Sequence, residues 1–297
     1  MKLFRLPAIA FAALLIGAAP PAVQPAASHA AERIRAHVEF LASDLLKGRD
    51  TGSTGHEIAA GYVASQFRQL GLTPAGTNGS WFVQVPFRRA TLHGAPRISL
   101  TSGGRTTALV IAKDAAIRPS LADRQVSLAA PLVFVGYGIS DRRLGIDDYA
   151  GLDVRGKIAV ALGDPAPGVP SEIASHLSSI QSEVAAAKGA VGFISIDDPT
   201  TAARDLERFA KRSVVDWVGP QGQSGRAASA RVAVSSQIAD RLFRGAPMSL
   251  QQVRSAASSR KPIKGFELRS RLKITASSRW EDFTSPEVVA VLPGSDP

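Results

Sequence analysis

Short apolar runs that end at glycine-rich turns constrain the fold of this chain most strongly. Residues 131–135 (PLVFV) end at Gly-Tyr-Gly, and residues 157–162 (KIAVAL) end at Gly-Asp-Pro. Residues 190–196 and 287–292 have the same apolar character. Runs without alternation are typical of strands that are buried on both faces and covered by helices. With 45% apolar residues in 297, the chain has enough material for such cores, and we expect an α/β fold.

Two amphipathic helices are predicted before the first strand. The first begins at Glu32 and ends at Gly48, where a left-handed cap is expected. The second begins near Gly55, because Thr54 and Glu57 have the spacing of a capping box. Its inward face is predicted to consist of Ile58, Ala59, Tyr62, Val63, Phe67 and Leu70.

The remaining elements are predicted from the same periodicities. Further helices are expected at residues 171–188, 236–244 and 249–257, and an alternating strand at residues 267–276. Residues 81–117 alternate weakly, which predicts short, partly exposed strands such as 82–85 and 108–111. Residues 280–285 are expected to form a connector.

Residues 1–30 have the pattern of a secretory signal peptide. Lys2 and Arg5 precede an apolar run at residues 8–19, and small residues lead up to Ala30. The apolar run is too short to span a bilayer as a helix, and no later run reaches about 18 apolar residues. We therefore expect an exported protein, periplasmic or secreted, without stable membrane insertion.

Composition limits the chemistry and the partners. Cysteine is absent, which excludes disulfides, thiolate metal sites and a cysteine nucleophile. The net charge is +10, but the basic residues are scattered and few aromatic residues lie among them. No nucleic-acid partner is expected.

The side chains that usually carry catalysis do not form a recognisable motif. His37, His56, His93 and His176 each lack a second metal-type ligand at a supportive spacing, and only His56, beside a helix start, stays open as a candidate. The sequence around Ser224 does not match the Gly-x-Ser-x-Gly pattern of a nucleophile elbow. No catalytic, cofactor-binding or metal-ligating residue is predicted in this chain.

Two pairs of adjacent carboxylates follow predicted strands. These are Asp147-Asp148 and Asp197-Asp198. Carboxylates at such positions most often accept hydrogen bonds from the backbone of turns, and this is the role we expect here.

Three groups of motifs resemble one known family. FLASD at residues 40–44, GRDTG at residues 48–52 and the helix that follows resemble the N-terminus of secreted di-zinc aminopeptidases, the family of bacterial leucyl aminopeptidases and glutamate carboxypeptidase. The segments 132–138, 148–149, 153–158 and 188–192 resemble the protease-associated domain that is inserted in many members. Residues 288–295 resemble the strand with which the catalytic domain resumes.

The resemblance implies a phosphorylase/hydrolase-like zinc-exopeptidase domain that is incomplete, with its N-terminal helices and one closing strand, interrupted by an α/β protease-associated domain. The implied boundaries are a signal peptide at 1–30, the first peptidase segment at 31–124, the inserted domain at 125–278 and the resumed peptidase segment at 279–297. The complete enzyme would carry two zinc ions. Its ligand motifs would follow residue 297, so no zinc is predicted to bind this chain.

The activity that the resemblance implies is hydrolysis of N-terminal residues from peptides, with this chain alone inactive. The expected partner of the chain is a peptide or protein substrate. Exposed apolar faces of the chain could also support association with another polypeptide. The alternative hypothesis is a stand-alone, exported module that binds a peptide or protein without catalysis. Exposure of the apolar faces of the second helix and of the terminal strand would favour the peptidase reading, because a stand-alone module should cover them.

Overall fold

The computed structural model describes residues 26–197, 206–224 and 227–294. The contacts of the chain divide it into two units, Met1–Tyr62 and Val63–Pro297. Most of the predicted signal peptide lies outside the described residues, and the predicted cleavage point after Ala30 falls within the first helix. None of the helices in the described ranges is both long and apolar enough to cross a membrane.

The first unit contains helix α1 (Ala26–Leu41), a short 3-10 turn (Asp44–Leu46) and the start of helix α2 (Thr54–Gln69). The cap of α2 differs by one residue from the prediction, because the amide of His56 donates to Ser53 Oγ at 3.2 Å. Thr54 is therefore the first helical residue. Gly55 lies against the backbone carbonyl of Leu46, and a Cβ at this position would overlap that oxygen.

The predicted inward face of α2 is wrong in part. Ala60 and Ala64 are buried, whereas Ile58 and Leu70 are exposed. Apolar periodicity identifies the apolar face of a helix, but it does not show whether another element covers that face.

The second unit is built on a nine-stranded mixed sheet. The strands of this sheet are β2 (Phe82–Ser102), β3 (Arg105–Ala108), β4 (Ala115–Ile117), β5 (Gln125–Phe134), β8 (Ile158–Leu162), β9 (Gly192–Ile196), β10 (Val214–Trp217), β11 (Ala230–Val234) and β12 (Phe266–Val288). Their order is β10-β2-β12-β5-β8-β9-β11-β4, and β3 pairs with β2. The pairs formed among β5, β8, β9 and β11 are parallel, and the other pairs are antiparallel.

Two short ladders complete the strands. One consists of β6 (Ser140–Asp141) and β7 (Ile146–Asp147), and the other of β1 (Thr73–Pro74) and β13 (Ala290–Val291).

Strands β2 and β12 correct the prediction of short strands and of a connector at residues 280–285. They pair over most of their length, from Phe82 opposite Val288 to Thr101 opposite Arg271, with one bulge. Pro86 and Gly94 interrupt the local pattern of β2, and such residues usually mark the end of a strand. Pairing with a distant strand keeps β2 extended through both positions.

The central strands are buried on both faces, as predicted from their sequences. Along β5, Leu132 and Phe134 enter one apolar core, whereas Val133 enters the other. The rings of Phe243 and Phe266 contact that of Phe134, each with a centroid distance of 5.2 Å. Helices α3 (Ser171–Ala187), α4 (Ser236–Leu242) and α5 (Leu250–Ser258) begin and end close to their predicted positions, and a helical stretch lies at 206–211.

The closing segment departs from the prediction of a strand buried on both faces. Val291 is 50% exposed and Leu292 is 73% exposed, and β13 is paired only with β1 among the described strands. The domain boundaries at residues 124 and 278 stay predictions. The sheet takes strands from both sides of residue 124, and β12 runs through residue 278.

Candidate functional site

A carboxylate holds together two of the segments that carry the family resemblance. Asp148 Oδ2 accepts hydrogen bonds from the backbone amides of Tyr137 at 3.1 Å and Ile139 at 3.0 Å. Its own amide donates to the carbonyl of Ile139 at 2.8 Å. Burial raises the pKa of Asp148, and the two amide hydrogen bonds oppose this effect in part. The expected turn role of this aspartate is confirmed.

The other carboxylates of the two pairs also contact nearby groups. Asp147 Oδ1 accepts from the amide of Tyr149 at 3.2 Å and lies 3.4 Å from Lys188 Nζ. Asp197 Oδ1 accepts from the hydroxyl of Ser195 at 3.0 Å. Asp198 lies outside the described residues.

The histidines lie on different elements of the two units. In the first unit, His37 Nδ1 lies 2.7 Å from Tyr62 Oη. His93 lies on β2 opposite Ser277, and the carbonyl of His176 in α3 accepts from the Ser179 hydroxyl. Within the described residues there is no group of three or more His, Asp or Glu side chains that could hold a metal ion. The residues present therefore do not fit the zinc centre that the family resemblance implies, and no catalytic step can be assigned to them.

The chain enters and leaves the segment that carries the nine-stranded sheet, residues 75–289 (here called the sheet domain), at one place. Strand β1 pairs antiparallel with β13, so that Thr73 lies opposite Val291 and Pro74 opposite Ala290. The pairing continues on the domain side, where the amide of Val289 donates to the carbonyl of Trp81 at 2.9 Å. The two ends of residues 75–289 are thus held side by side.

A cavity of about 370 Å³ opens on one face of the same sheet domain. The strands β9 and β11, helix α3 and the stretch 208–212 supply its walls. Its charged lining consists of Arg118, Arg208, Arg212, Arg231 and Asp197. The cavity therefore carries a marked excess of positive charge.

Strand pairing brings two of these arginines together. Arg118 directly follows β4, and its amide donates to the carbonyl of Arg231 on β11 at 3.0 Å. The guanidinium of Arg118 lies over the ring of Phe209, 4.6 Å from its centroid. Burial, followed by the charges of Arg231 and Arg212, lowers the pKa of Arg118 to about 10. Burial also lowers the pKa of Arg231.

Sequence reasoning missed this cavity, because its arginines are far apart in the chain. A signal was present, since Arg118 and Arg231 each lie beside short apolar runs (AAIRP and ARVAV) that form buried strands. A charged residue at such a position is unusual and calls for a partner.

Comparison with solved structures finds distant likenesses. No family model matches this chain, and no curated protein matches it. A matching solved structure is the crystal structure of BSAP, a zinc aminopeptidase from Bacillus subtilis, at 16% identity and a TM-score of 0.32. The match covers 90% of this chain and 48% of that chain, so this chain spans about half the length of the matched protein. A TM-score of this size does not establish a common fold.

Proposed function

We propose that this chain is the non-catalytic, N-terminal portion of an exported zinc-dependent aminopeptidase, and that residues 75–289 form a domain inserted into its peptidase domain. The observation that carries the proposal is the pairing of Thr73–Pro74 with Ala290–Val291. In the proposed enzyme, β1 and β13 belong to the peptidase domain, and the inserted domain begins after β1 and ends before β13. The proposed insertion is wider than residues 125–278, because β2 and the end of β12 belong to its sheet.

Exposed apolar side chains support this proposal. On β13 and just after it, Val291 and Leu292 are exposed, and on α2 the same is true of Ile58 and Leu70. These are the faces that a stand-alone module would be expected to cover. In the proposed enzyme, the remaining peptidase polypeptide packs on them and supplies the zinc ligands.

The two parts of the proposed enzyme have different roles. The complete enzyme would bind the free amino end of a peptide and hydrolyse its first peptide bond, with two zinc ions activating the water. The domain at residues 75–289 would lie beside the cleft and limit which substrates enter. The second candidate is a non-catalytic binding module, which is favoured by the arginine-lined cavity because this cavity lies wholly within that domain.

The direct test is to capture the native protein from its producing cells with an antibody against residues 129–276 and to measure its intact mass and activity. The proposal expects a mass well above 31.1 kDa and hydrolysis of aminoacyl anilides that a chelator abolishes. A mass of 31.1 kDa or less without such activity would overturn the proposal in favour of the binding module.

A second test uses the purified 297-residue chain and a hydrophobic dye. We expect dye binding that falls in the variant Val291→Asp/Leu292→Asp, because these residues belong to an apolar face that is normally covered. The matched control is Val110→Asp, since Val110 is 56% exposed but is not part of the ladder formed by β1 and β13. If the double variant and the control bind the dye equally, then β13 is not an uncovered interface.

A further inference from the structure

The arginine-lined cavity of the sheet domain has no role in the proposed peptide hydrolysis. Its two half-buried guanidinium groups belong to Arg118, which directly follows β4, and to Arg231 on the neighbouring strand β11. The exposed Arg208 and Arg212 also line the cavity. Like charges on neighbouring strands repel each other, and burial strengthens the repulsion. Such an arrangement is costly unless a negative charge is supplied.

The protein itself does not supply enough negative charge among its described residues. None of the ion pairs formed there includes any of the four cavity arginines. Asp197 is the single acidic side chain in the lining, and it accepts a hydrogen bond from Ser195. The charge of Glu183 opposes in part the lowering of the pKa of Arg231 that burial causes, but Glu183 lies outside the cavity lining.

One guanidinium nitrogen gives a second, independent indication. Arg118 Nε is buried and has no hydrogen-bond partner among the described residues. A buried donor that carries part of a positive charge costs free energy unless an acceptor reaches it. The position of the Arg118 side chain is nevertheless held, because its guanidinium lies over the ring of Phe209. The donor is thus preorganised for an acceptor that enters from the cavity.

We propose that this cavity binds a phosphate-type dianion, with Arg118 and Arg231 as its principal ligands. Guanidinium groups match the oxygens of phosphate through paired hydrogen bonds, and two neighbouring cations balance a ligand that carries two negative charges. Serine hydroxyls of α3, at Ser178 and Ser182, line the same space and can donate to further oxygens. A volume of about 370 Å³ accommodates inorganic phosphate or a small phosphomonoester.

The test measures binding of inorganic phosphate to the full chain by calorimetry and by thermal unfolding, with chloride at equal ionic strength as the reference. We expect phosphate to bind and to raise the unfolding temperature. Arg118→Met and Arg231→Met should each weaken phosphate binding about tenfold or more, because each removes charge-assisted hydrogen bonds. The matched control is Arg142→Met, since Arg142 is exposed and outside the cavity lining, and it should bind phosphate as the unchanged chain does.

Both cavity variants should fold, because removal of one arginine relieves the repulsion from the other. Their unfolding temperatures in chloride should therefore equal or exceed that of the unchanged chain. A large drop in both would show that the arginines serve stability instead of binding, and would overturn the proposal.

Two further arms identify the ligand. Glycerol 3-phosphate, a simple phosphomonoester, is compared with inorganic phosphate. The probe that binds more tightly shows whether the site takes a phosphomonoester or free phosphate. Acetate at equal ionic strength tests a carboxylate. Equal stabilisation by acetate and phosphate, or a phosphate effect that persists in both arginine variants, would refute a dianion site between Arg118 and Arg231.

Discussion

The substitution Asp148→Ala tests the carboxylate that joins the Gly-Tyr-Gly loop to the following segment. It leaves the amides of Tyr137 and Ile139 without the acceptor that now lies 3.1 and 3.0 Å away. Each buried donor that loses its acceptor costs about 1–3 kcal/mol of stability. The substitution also removes the cost of burying the carboxylate, which offsets part of the combined loss from the two amides. We expect the free energy of unfolding to fall by about 3 kcal/mol at pH 7.

The assay is urea unfolding of the full chain, followed by fluorescence and circular dichroism. Asp240→Ala is the matched control, because Asp240 is exposed on α4, and it should change the stability by less than about 0.5 kcal/mol. If Asp148→Ala and Asp240→Ala lose equal stability, the two amide hydrogen bonds do not hold the loop and the reasoning is wrong.

The variant Asp148→Asn separates the hydrogen bonds from the charge. Its amide oxygen can accept from both backbone amides, so the loop should stay in place. Burial raises the pKa of Asp148 in the folded protein above its ordinary value of 3.8. The folded state therefore holds the proton more tightly, and this group's contribution to stability falls as pH rises from the unfolded pKa through the folded one.

Because asparagine does not titrate, the stability of Asp148→Asn relative to the unchanged chain should rise with pH across that interval. Unfolding at a series of pH values from acid to neutral measures the difference. A difference that stays constant with pH would show that the ionised carboxylate carries no burial cost.

Three further predictions concern the packing of both units. Gly55→Ala should lower stability by roughly 2 kcal/mol, because a Cβ at this position overlaps the backbone carbonyl of Leu46. Gly61→Ala in the same helix should raise stability by about 0.5–1 kcal/mol, because the space around Gly61 is open. Thermal unfolding compares the two variants. Phe134→Ala should cost about 3–5 kcal/mol in urea unfolding, and a smaller loss would contradict its position in the core. Arg88 donates two hydrogen bonds to Asp282 and holds the pKa of that carboxyl below its usual range. The stability that Arg88→Met loses should therefore shrink as pH falls and Asp282 becomes protonated. A loss of stability that does not depend on pH would contradict this role.

Tertiary pairing overrode local signals in the long strands. Pro86 and Gly94 favour a break, yet β2 continues through them because β12 pairs with it over most of both strands. The same pairing turns residues 280–285 from an expected connector into a strand. A single sequence read in short windows contains no information about such a distant partner.

The sequence by itself determined the elements whose signals are local. Unbroken apolar runs predicted the buried strands at 131–135 and 157–162, because burial on both faces removes polar alternation. Helical periodicity predicted α3, α4 and α5 nearly at their ends, and Ser249 forms a capping box with Gln252 at the start of α5. Each of these features depends on residues only a few positions apart.

Only the tertiary structure decided which distant residues meet. It placed Arg118 beside Arg231, because β4 and β11 pair across more than a hundred intervening residues. It also joined Thr73–Pro74 to Ala290–Val291 and left Val291 and Leu292 exposed, although their apolar character predicted burial. The physical reason is that strand pairing and the covering of apolar faces depend on which surfaces the fold brings together, and local periodicity does not contain that information.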